Sequence, residues 1–475
     1  MIIFQTMEMT DTQILSHFKS TPPSIEERMA AGKALRTEFP RIEQGEYVPA
    51  ANRADPVSVL EEQGKTRLEE LIPIRYARML TSPFAFLRGS AAIMAADLAA
   101  GPRPTGIQVQ ACGDMHVANF GVFASAERNL VFGINDFDET LPGPWEWDMK
   151  RLTASIVASG RFLGANKRSC KEGVMAAVKS YRNRMHEYAG MGYLNLWYAT
   201  IKEADILKAV SGSAQKGAIR LMGKARERTH MQVLGKLTDL VDAQYRLREN
   251  APFIVREKRT NDGRPIEEAL GLFLESYFQS LADERKTLLK NYRITDVVRK
   301  VVGVGSVGTR CWVVFLTGNH ADDPLFLQIK EAQPSVLEPY VSKSIYSNQG
   351  QRVVIGQRLL QAAPDIFLGW FRLGGMDFYV RQLRDMKGGV EFDPKKVKIE
   401  NLDQYSSLCG WALALAHAKS GDAAMIAGYC GNSDELDQAM VNFAFAYADQ
   451  TERDFKALAA AARQGRIKVA EAADG

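Results

Sequence analysis

One stretch of this sequence, residues 294–385, is rich in predicted strands and lies between two long regions that are mostly helical. Its apolar segments VVRKVVGVGSVGTRCWVVFLTG, PLFLQIKEA, FLGWFRL and DFYVRQL alternate with turn residues, and one helix is expected over 349–363. Ala- and Leu-rich helical patterns occupy 147–290 and return over 402–462. Strands grouped in one part of a chain, with helices in the others, predict an α+β fold whose smaller lobe is an antiparallel sheet.

The chain has 475 residues, which is more than a single core usually holds, so we expect several packed units. The first, 1–60, is polar and punctuated by prolines, and is interpreted as an arm over a larger body. A helical lobe over 61–290 is expected to carry the short strands IQVQACGD, NFGVFA and LVFGINDFD, with no comparable strand pattern after residue 147. A β-rich lobe follows over 291–390, and helices over 391–475 are expected to pack on the helical lobe.

Composition and charge exclude several classes of protein. The 60 basic and 56 acidic residues give a net charge of +4, which is too balanced to indicate a nucleic-acid partner. No run reaches the roughly 18 apolar residues that a membrane span needs, and the first residues lack the pattern of a secretory signal. A cytoplasmic location is therefore expected, with no membrane partner, whereas the oligomeric state stays open. The cysteines are scattered without metal-ligand spacing and are expected to be reduced thiols: Cys112, Cys170, Cys311, Cys409 and Cys430.

Three oxygen-bearing side chains stand at the ends of two predicted strands. Asp114 and Asn119 are five residues apart in GDMHVANFG, and Asp136 comes seventeen residues later, after the apolar run LVFGIN. Phosphoryl transfer needs a carboxylate for the proton of the attacking hydroxyl and hard oxygen ligands for magnesium beside a triphosphate. This spacing is typical of the catalytic and metal-binding residues of protein kinases. Asp138 and Glu139 could add a carboxylate to the metal site or cap a turn.

A Gly-rich turn, GVGSVG at 303–308, lies between two predicted strands. Alone this pattern is weak, but the β-branched and aromatic CWVVFL that follows favours a hairpin over the helix of a dinucleotide-binding fold. A Gly-rich hairpin lets backbone amides approach phosphates. Lys330, in the next strand, is expected to reach the α- and β-phosphates. The candidates in the turn are Gly303, Gly305, Ser306 and Gly308.

The rest of the nucleotide site is less well defined by the sequence. Lysines at such positions usually pair with an acid on the following helix, but the helix after the strand of Lys330 carries no carboxylate, so its acidic partner stays open. The segment FYVRQLRDM is expected to contact adenine through backbone groups. The candidates for that contact are Gln382, Leu383 and Arg384.

The sequences around Asp114 and Asp136 resemble motifs of small-molecule kinases. GDMHVANF resembles the GDLHxxN loop of the aminoglycoside and choline phosphotransferases, and INDFDE resembles their IDFxD segment. The resemblance implies that Asp114 is the catalytic base and that Asn119 and Asp136 bind magnesium. It also implies that His116 supports the loop through hydrogen bonds, and that Asp148, which opens a helix in GPWEWDMKRL, braces the loop backbone.

The order of these segments is reversed relative to ordinary kinases, since Gly113 of GDMHVANFG precedes Gly303 of GVGSVG by 190 residues. Either the two motifs are unrelated, or the fold is a circularly permuted two-lobed kinase-like fold. In the second case, helices after Leu402 pack with those before Ala100 around the catalytic loop.

The chain over 65–430 also resembles one bacterial family, the domain-of-unknown-function 2252 family, and this resemblance implies little about chemistry. The segments that carry it are SPFAFLRG, CGDMHVANFG, INDFDETLPGPWEWDMKRL, GVGSVGTR, QIKEA, GQRLLQAAPD, YVRQLRDMK and AHAKSGD.

Together these segments predict an enzyme that transfers a phosphoryl group from ATP, with magnesium, to a hydroxyl of a small molecule. There are two alternatives. One is nucleotidyl transfer to a protein, in which ATP binds in the opposite orientation between the same lobes. The other is a nucleotide-binding pseudokinase that acts as a scaffold. A metal-dependent hydrolase would leave Lys330 and the Gly-rich turn unexplained. Arg88, in SPFAFLRGSA, is interpreted as pairing with a buried carboxylate such as Asp148 in preference to phosphate, and His417 is interpreted as a core histidine.

Overall fold

The structure is a computed structural model that describes residues 11–471 apart from 243, 261–262, 362, 384–385 and 396–398. It is a mixed α+β fold. Every strand pair among the described residues is antiparallel, so the expected fold class is confirmed at this level.

Helices make up most of the fold. They are α1 (Asp11–Lys19), α2 (Ile25–Ala34), α3 (Pro56–Gly64), α4 (Ile72–Met79), α5 (Pro83–Gly89), α6 (Ala91–Ala100), α7 (Trp145–Phe162), α8 (Lys167–Ala189), α9 (Tyr193–Tyr198), α10 (Glu203–Ala209), α11 (Gly212–Glu227), α12 (His230–Leu237), α13 (Ile266–Gln279), α14 (Asp283–Leu289), α15 (Gln349–Leu360), α16 (Leu402–Ser420), α17 (Ala423–Cys430) and α18 (Glu435–Arg463). Short 3-10 turns lie at Leu35–Thr37, Arg41–Gly45, Glu69–Leu71, Val117–Asn119 and Ile399–Asn401.

The strands are β1 (Gln108–Ala111), β2 (Phe120–Ala124), β3 (Leu130–Ile134), β4 (Leu141–Pro144), β5 (Ile201–Lys202), β6 (Thr238–Val241), β7 (Gln244–Leu247), β8 (Ile254–Val255), β9 (Arg293–Lys300), β10 (Cys311–Thr317), β11 (Pro324–Ala332), β12 (Gly369–Leu373), β13 (Met376–Gln382) and β14 (Gly388–Gly389). A six-stranded sheet has the order β12-β13-β11-β10-β9-β8, and a four-stranded sheet has the order β14-β2-β3-β5. In addition, β1 pairs with β4, and β6 pairs with β7.

The six-stranded sheet contains the segments that the sequence predicted as strands. β9 and β10 form a hairpin around the Gly-rich turn, in which Arg299 pairs with Trp312. β11 covers all of PLFLQIKEA, and its nine residues are all buried. This burial follows from its position, because β11 lies between β10 and β13 and is contacted by both α12 and α15. α15 begins at the predicted residue, where the side chain of Asn348 accepts a hydrogen bond from the N–H of Gln351.

Residues 238–289 pack with this sheet, although the sequence assigned them to the helical lobe. β8 pairs with β9, and Phe273 of α13 shares an apolar cluster with Val314 and Phe371 of the sheet. The strands β6 to β8 escaped prediction because they are only two to four residues long and mix polar with apolar side chains. The strand-rich part of the fold therefore begins earlier than residue 291.

The largest apolar cluster surrounds α7, α8, α16 and α18 and includes strands β2 and β3. α16 packs along α8, and α18 packs along α7. The approach of α16 to α8 requires a glycine, since a Cβ on Gly410 would lie 2.1 Å from the carbonyl oxygen of Ala177. The C-terminal helices thus complete the core around the segment that carries GDMHVANFG.

The two ends of the described chain lie in contact. A Cβ on Gly32 of α2 would lie 2.0 Å from the carbonyl oxygen of Met425 on α17, and α3 contacts α18. The N-terminal arm is therefore helical over much of its described length and packs on the C-terminal helices. None of the described helices is both long enough and apolar enough to cross a membrane. All five cysteines are free, as the sequence predicted, and all five are buried.

Replacing Gly410 by Ala is expected to lower the free energy of unfolding by about 1–3 kcal/mol, because the added methyl group meets backbone atoms that cannot move aside. The control is Gly217→Ala in α11, where a Cβ would meet no atom within 4 Å. There the substitution should raise the free energy of unfolding by up to about 1 kcal/mol, because alanine has less backbone freedom than glycine to lose on folding. Chemical denaturation followed by circular dichroism measures both changes. An equal loss of stability in the two variants would contradict the close approach of α16 to α8.

Candidate active site

Asp148 holds the beginning of the GDMHVANFG loop. Its carboxylate oxygens accept hydrogen bonds from the backbone N–H groups of Cys112 at 2.6 Å and Gly113 at 2.9 Å. Gly113 has a φ of +79°, and a Cβ there would lie 2.6 Å from the carbonyl oxygen of Glu139, so this turn requires glycine. The buried His417 places Nε2 at 3.3 Å from Asp148. Asp148 therefore connects the loop backbone to a histidine in the core.

Asp114 is anchored by an arginine that the sequence analysis missed. Its Oδ1 accepts a hydrogen bond from Nε of Arg151 at 2.7 Å, and Arg151 also donates to the carbonyl oxygen of Leu87 at 2.8 Å. Arg151 lies three residues after Asp148 on α7, which places the two side chains on one helix face. That spacing was the available sequence signal. The ion pair fixes one orientation of Asp114 and leaves 23% of its side chain exposed.

His116 supports the loop through its backbone. Its N–H donates to the carbonyl oxygen of Asp114 at 3.0 Å, and its carbonyl oxygen accepts from the N–H of Asn119 at 2.8 Å. The Nδ1 atom has no hydrogen-bond partner, and burial lowers the pKa of the ring to about 3 even though Asp114 is near. His116 therefore makes hydrogen bonds within the loop through its backbone, and its imidazole is neutral.

Asn119 links the ends of the two strands. Its Nδ2 donates to the carbonyl oxygens of Asp114 and Asp136, at 3.2 Å in each case, and these bonds determine which way its amide oxygen points. No described residue donates a hydrogen bond to Oδ1 of Asp136, and 46% of the Asp136 side chain is exposed. Burial and the charge of the neighbouring Asp138 raise the pKa of Asp136.

The oxygens of Asn119 and Asp136 fit a hard cation. No group of three His, Cys, Asp or Glu side chains able to hold a metal ion is found within the described part of the chain. Magnesium, however, is usually bound by one or two carboxylates together with phosphate oxygens of a nucleotide. The unpartnered oxygen of Asp136 is a donor of the required kind.

Lys330 finds its acidic partner in Asp138, on the loop that follows β3. Its Nζ pairs with Oδ2 of Asp138 and lies 3.9 Å from Oδ1 of Asp136. Tyr379 donates its hydroxyl to Oδ1 of Asp138 at 2.6 Å, and Ser306 donates to Oδ2 at 3.1 Å. Burial disfavours both charges, but their attraction raises the pKa of Lys330 and lowers that of Asp138. Both oxygens of Asp138 accept hydrogen bonds from protein donors, and its role as a metal ligand stays a prediction.

Tyr379→Phe is expected to lower the free energy of unfolding by about 1.5–3 kcal/mol, because the charged Asp138 loses a buried hydrogen-bond donor. The matched control is Tyr193→Phe, since the Tyr193 side chain is largely exposed on α9. This substitution should change the free energy of unfolding by less than about 0.5 kcal/mol. Denaturation curves of the two variants and the wild type measure the difference. Equal stability of the two variants would show that the hydroxyl of Tyr379 does not hold Asp138.

α15, which carries no acidic residue, contributes an arginine to this site. Arg352 is buried and donates to the carbonyl oxygens of Asp138 at 2.9 Å, Gln333 at 2.8 Å and Thr140 at 2.6 Å. These bonds position the loop that carries Asp138. The only sequence signal was a cation inside the apolar run RVVIGQRLL, which does not reveal its partners.

The Gly-rich turn lies directly against the GDMHVANFG loop. Gly303 and Gly308 have φ angles of +64° and +91°, which glycine adopts without strain. A Cβ on Gly305 would lie 3.3 Å from the carbonyl oxygen of Arg88 and 4.0 Å from Oδ2 of Asp114. The two motifs are therefore neighbours in space although they are far apart in the sequence.

Two adjoining cavities open around these residues. The smaller has a volume of about 150 Å³ and the larger about 670 Å³, and both are bordered by Arg88, Gly303 and Val304. The candidate residues that line the smaller cavity are Asp114, His116, Asn119, Asp136, Asp138, Gly305 and Ser306. The larger cavity extends from the Gly-rich turn to the end of β13.

Gln382 and Leu383 line the larger cavity. Their backbone N–H groups already donate within the protein, that of Gln382 to the carboxylate of Asp365 and that of Leu383 to the carbonyl oxygen of Phe326 at 2.8 Å. Contact with an adenine ring is then left to their carbonyl oxygens and side chains. Arg384, the third residue expected in this contact, lies outside the described residues.

Arg88 does not pair with Asp148, so that expectation was wrong. The oxygens of Asp148 are engaged by the loop backbone and by His417, on the side of the loop away from the cavities. Arg88 instead borders both cavities, and its Nε has no hydrogen-bond partner.

Comparisons with known proteins identify the family of the chain. A family model described as "Uncharacterized protein conserved in bacteria (DUF2252)" matches residues 67–461, a range that contains all the candidate site residues described above. The comparisons with curated proteins and with solved structures gave no match. Because the family model covers far more than half of the chain, the protein belongs to this bacterial family, DUF2252.

Proposed function

We propose that this protein is an ATP- and magnesium-dependent phosphotransferase with a circularly permuted, two-lobed kinase-like fold. The observation that carries the proposal is the convergence of two motifs on one carboxylate. Lys330 pairs with Asp138, and Ser306 of the Gly-rich turn donates to the same side chain. Unrelated motifs have no physical reason to share a partner, whereas a nucleotide site needs all of these groups around the phosphates.

The packing of the chain ends supports the permutation. α16 and α18, from the C-terminal part, pack on α7 and α8 beside the catalytic loop, and α2 packs on α17. A chain whose ends lie together can be joined there and opened at a surface loop with little change in its core. The reversed order of the two motifs then changes only how the chain connects them, and their arrangement in space stays the same.

In the proposed reaction, Asp114 orients the acceptor hydroxyl and takes its proton as the hydroxyl oxygen attacks the γ-phosphorus of ATP. The bond between that phosphorus and the oxygen bridging to the β-phosphate breaks, and ADP leaves. Lys330 and the Gly-rich turn hold the α- and β-phosphates. Asn119 and Asp136 hold magnesium, which neutralises phosphate charge. The GDxH motif of the loop resembles that of small-molecule kinases, which favours a small molecule as the hydroxyl acceptor.

Calorimetric titration of the full chain with ATP tests the proposal. We expect a dissociation constant between about 1 µM and 1 mM in the presence of magnesium, as for substrates of ordinary enzymes. Binding should weaken sharply when EDTA removes the metal. An absence of binding at millimolar ATP with magnesium would overturn the proposal.

A second candidate, nucleotidyl transfer, is favoured by the charge of the larger cavity. None of the described residues that line it is acidic. Burial and the nearby Arg381 lower the pKa of Lys387 to about 7, which marks a site where further positive charge is disfavoured and an anion is favoured. A basic lining of this kind attracts a phosphate chain. ATP bound in the opposite orientation would therefore place its β- and γ-phosphates in this cavity. The basic residues that line the cavity are Arg78, Arg88, Arg228, Lys236, Lys300, Arg381 and Lys387.

Parallel incubations with ATP labelled on the γ- or the α-phosphate separate the two candidates. Phosphoryl transfer moves the γ-label to an acceptor or to the protein itself, and ADP is released. Nucleotidyl transfer moves the α-label to protein, and pyrophosphate is released. Incorporation of the α-label without the γ-label would replace the first proposal by the second.

A further inference from the structure

Among the described residues, no carboxylate forms a hydrogen bond or an ion pair with the side chain of Arg88. It lies in the last turn of α5, over the ring of Phe84 at 6.0 Å from the ring centroid. Its Nε is enclosed and makes no hydrogen bond. Burial lowers the pKa of Arg88, while Asp114 and Asp136 act in the opposite direction. Both carboxylates are therefore close enough to influence Arg88, although neither forms an ion pair with it.

The other arginines around the catalytic loop are used differently. Arg151 pairs with Asp114 at 2.7 Å, and Arg67 donates to the carbonyl oxygen of Gly305 at 2.8 Å. Arg352 holds the loop of Asp138. Each of these side chains has a structural task, whereas the guanidinium of Arg88 has none. Enclosing Nε of Arg88 without a hydrogen bond costs free energy, so the guanidinium is expected to receive an anion from outside.

The position of Arg88 indicates which anion this is. It borders both cavities, beside the Gly-rich turn. Lys330 is turned towards Asp138, whereas Arg88 lines the smaller cavity together with Asp114 and Asp136, the proposed base and metal ligand. The group that lies between those two residues during phosphoryl transfer is the γ-phosphoryl group. A guanidinium can donate two parallel hydrogen bonds to its oxygens.

We propose that Arg88 binds the oxygens of the γ-phosphate of ATP and stabilises the phosphoryl group during its transfer. This assignment rests on the proposed function and adds a catalytic residue to it. The side chain acts from within the same chain, in the way that an arginine finger stabilises the charge of a transferring phosphoryl group. Its hydrogen bonds are made to ATP and are absent with ADP.

Calorimetric titrations with Mg²⁺ and ATP, with Mg²⁺ and ADP, and with Mg²⁺, ADP and aluminium fluoride test this assignment. Arg88→Ala is expected to weaken the binding of ATP and of the aluminium fluoride mixture about 10- to 100-fold, the size expected for lost charge-assisted hydrogen bonds. The affinity for ADP should stay unchanged. Arg88→Lys should give an intermediate loss, because lysine keeps the charge without the fork of donors. The control is Arg168→Ala, an exposed arginine on α8 that pairs with Glu172.

Three outcomes would overturn the assignment or its premise. Equal weakening of ATP and ADP binding by Arg88→Ala would indicate a structural role, and unchanged ATP binding would exclude the contact. If the wild type binds neither nucleotide, the proposed function itself fails. If circular dichroism shows that Arg88→Ala is unfolded, Arg88→Lys decides the question through the ratio of its ATP and ADP affinities.

Discussion

Asp136→Asn is expected to weaken the binding of ATP in the presence of magnesium at least about 100-fold, because a metal ligand contributes several kcal/mol and each 1.4 kcal/mol is a tenfold change. In EDTA the variant and the wild type should bind ATP equally weakly. Oδ1 of Asp136 accepts no hydrogen bond from the described residues and lies 3.9 Å from Nζ of Lys330, and burial raises the pKa of this carboxyl. The substitution should therefore leave folding intact, which separates a binding defect from a stability defect.

Isothermal titration calorimetry with and without EDTA measures this effect, and thermal unfolding followed by circular dichroism checks the fold. The matched control is Asp322→Asn, since Asp322 is an acid with a side chain 70% exposed in the turn between β10 and β11. Wild-type affinity for ATP with magnesium in both variants would exclude Asp136 as the metal ligand.

Asp148→Ala is expected to lower the free energy of unfolding by about 2–6 kcal/mol. The backbone N–H groups of Cys112 and Gly113 would lose their acceptors, and each unsatisfied buried donor costs about 1–3 kcal/mol. His417 would lose its contact with the carboxylate as well. Because the same loop carries Asp114, binding of ATP should also weaken. Urea denaturation followed by circular dichroism measures the loss.

Glu172→Ala is the control for this prediction, because Glu172 is a half-exposed carboxylate on α8 that pairs only with Arg168 in the described contacts. Its removal should change the free energy of unfolding by less than about 1 kcal/mol. A similar effect of the two substitutions would mean that Asp148 does not hold the loop backbone.

The sequence by itself determined the local elements on both sides of the site. Apolar runs bounded by turn residues were sufficient for β9 to β13, since the periodicity of a strand reports its burial directly. The same holds for α15, which begins at Gln349 as predicted. The spacing of Asp114, Asn119 and Asp136 was also readable, because it depends on one strand-turn-strand unit. It did not reveal Arg151, although the spacing from Asp148 on α7 contained that information.

Only the tertiary structure decided which side chains meet across the site. The partner of Lys330 is Asp138, 192 residues away in the chain, and no helix acid takes part. Arg88 borders the cavities and does not pair with Asp148, and β8 joins the six-stranded sheet. The physical reason is common to all three: a local pattern records whether a residue is buried, whereas its partner depends on how distant segments pack. For this chain, that packing brings the Gly-rich turn, Lys330 and the GDMHVANFG loop together.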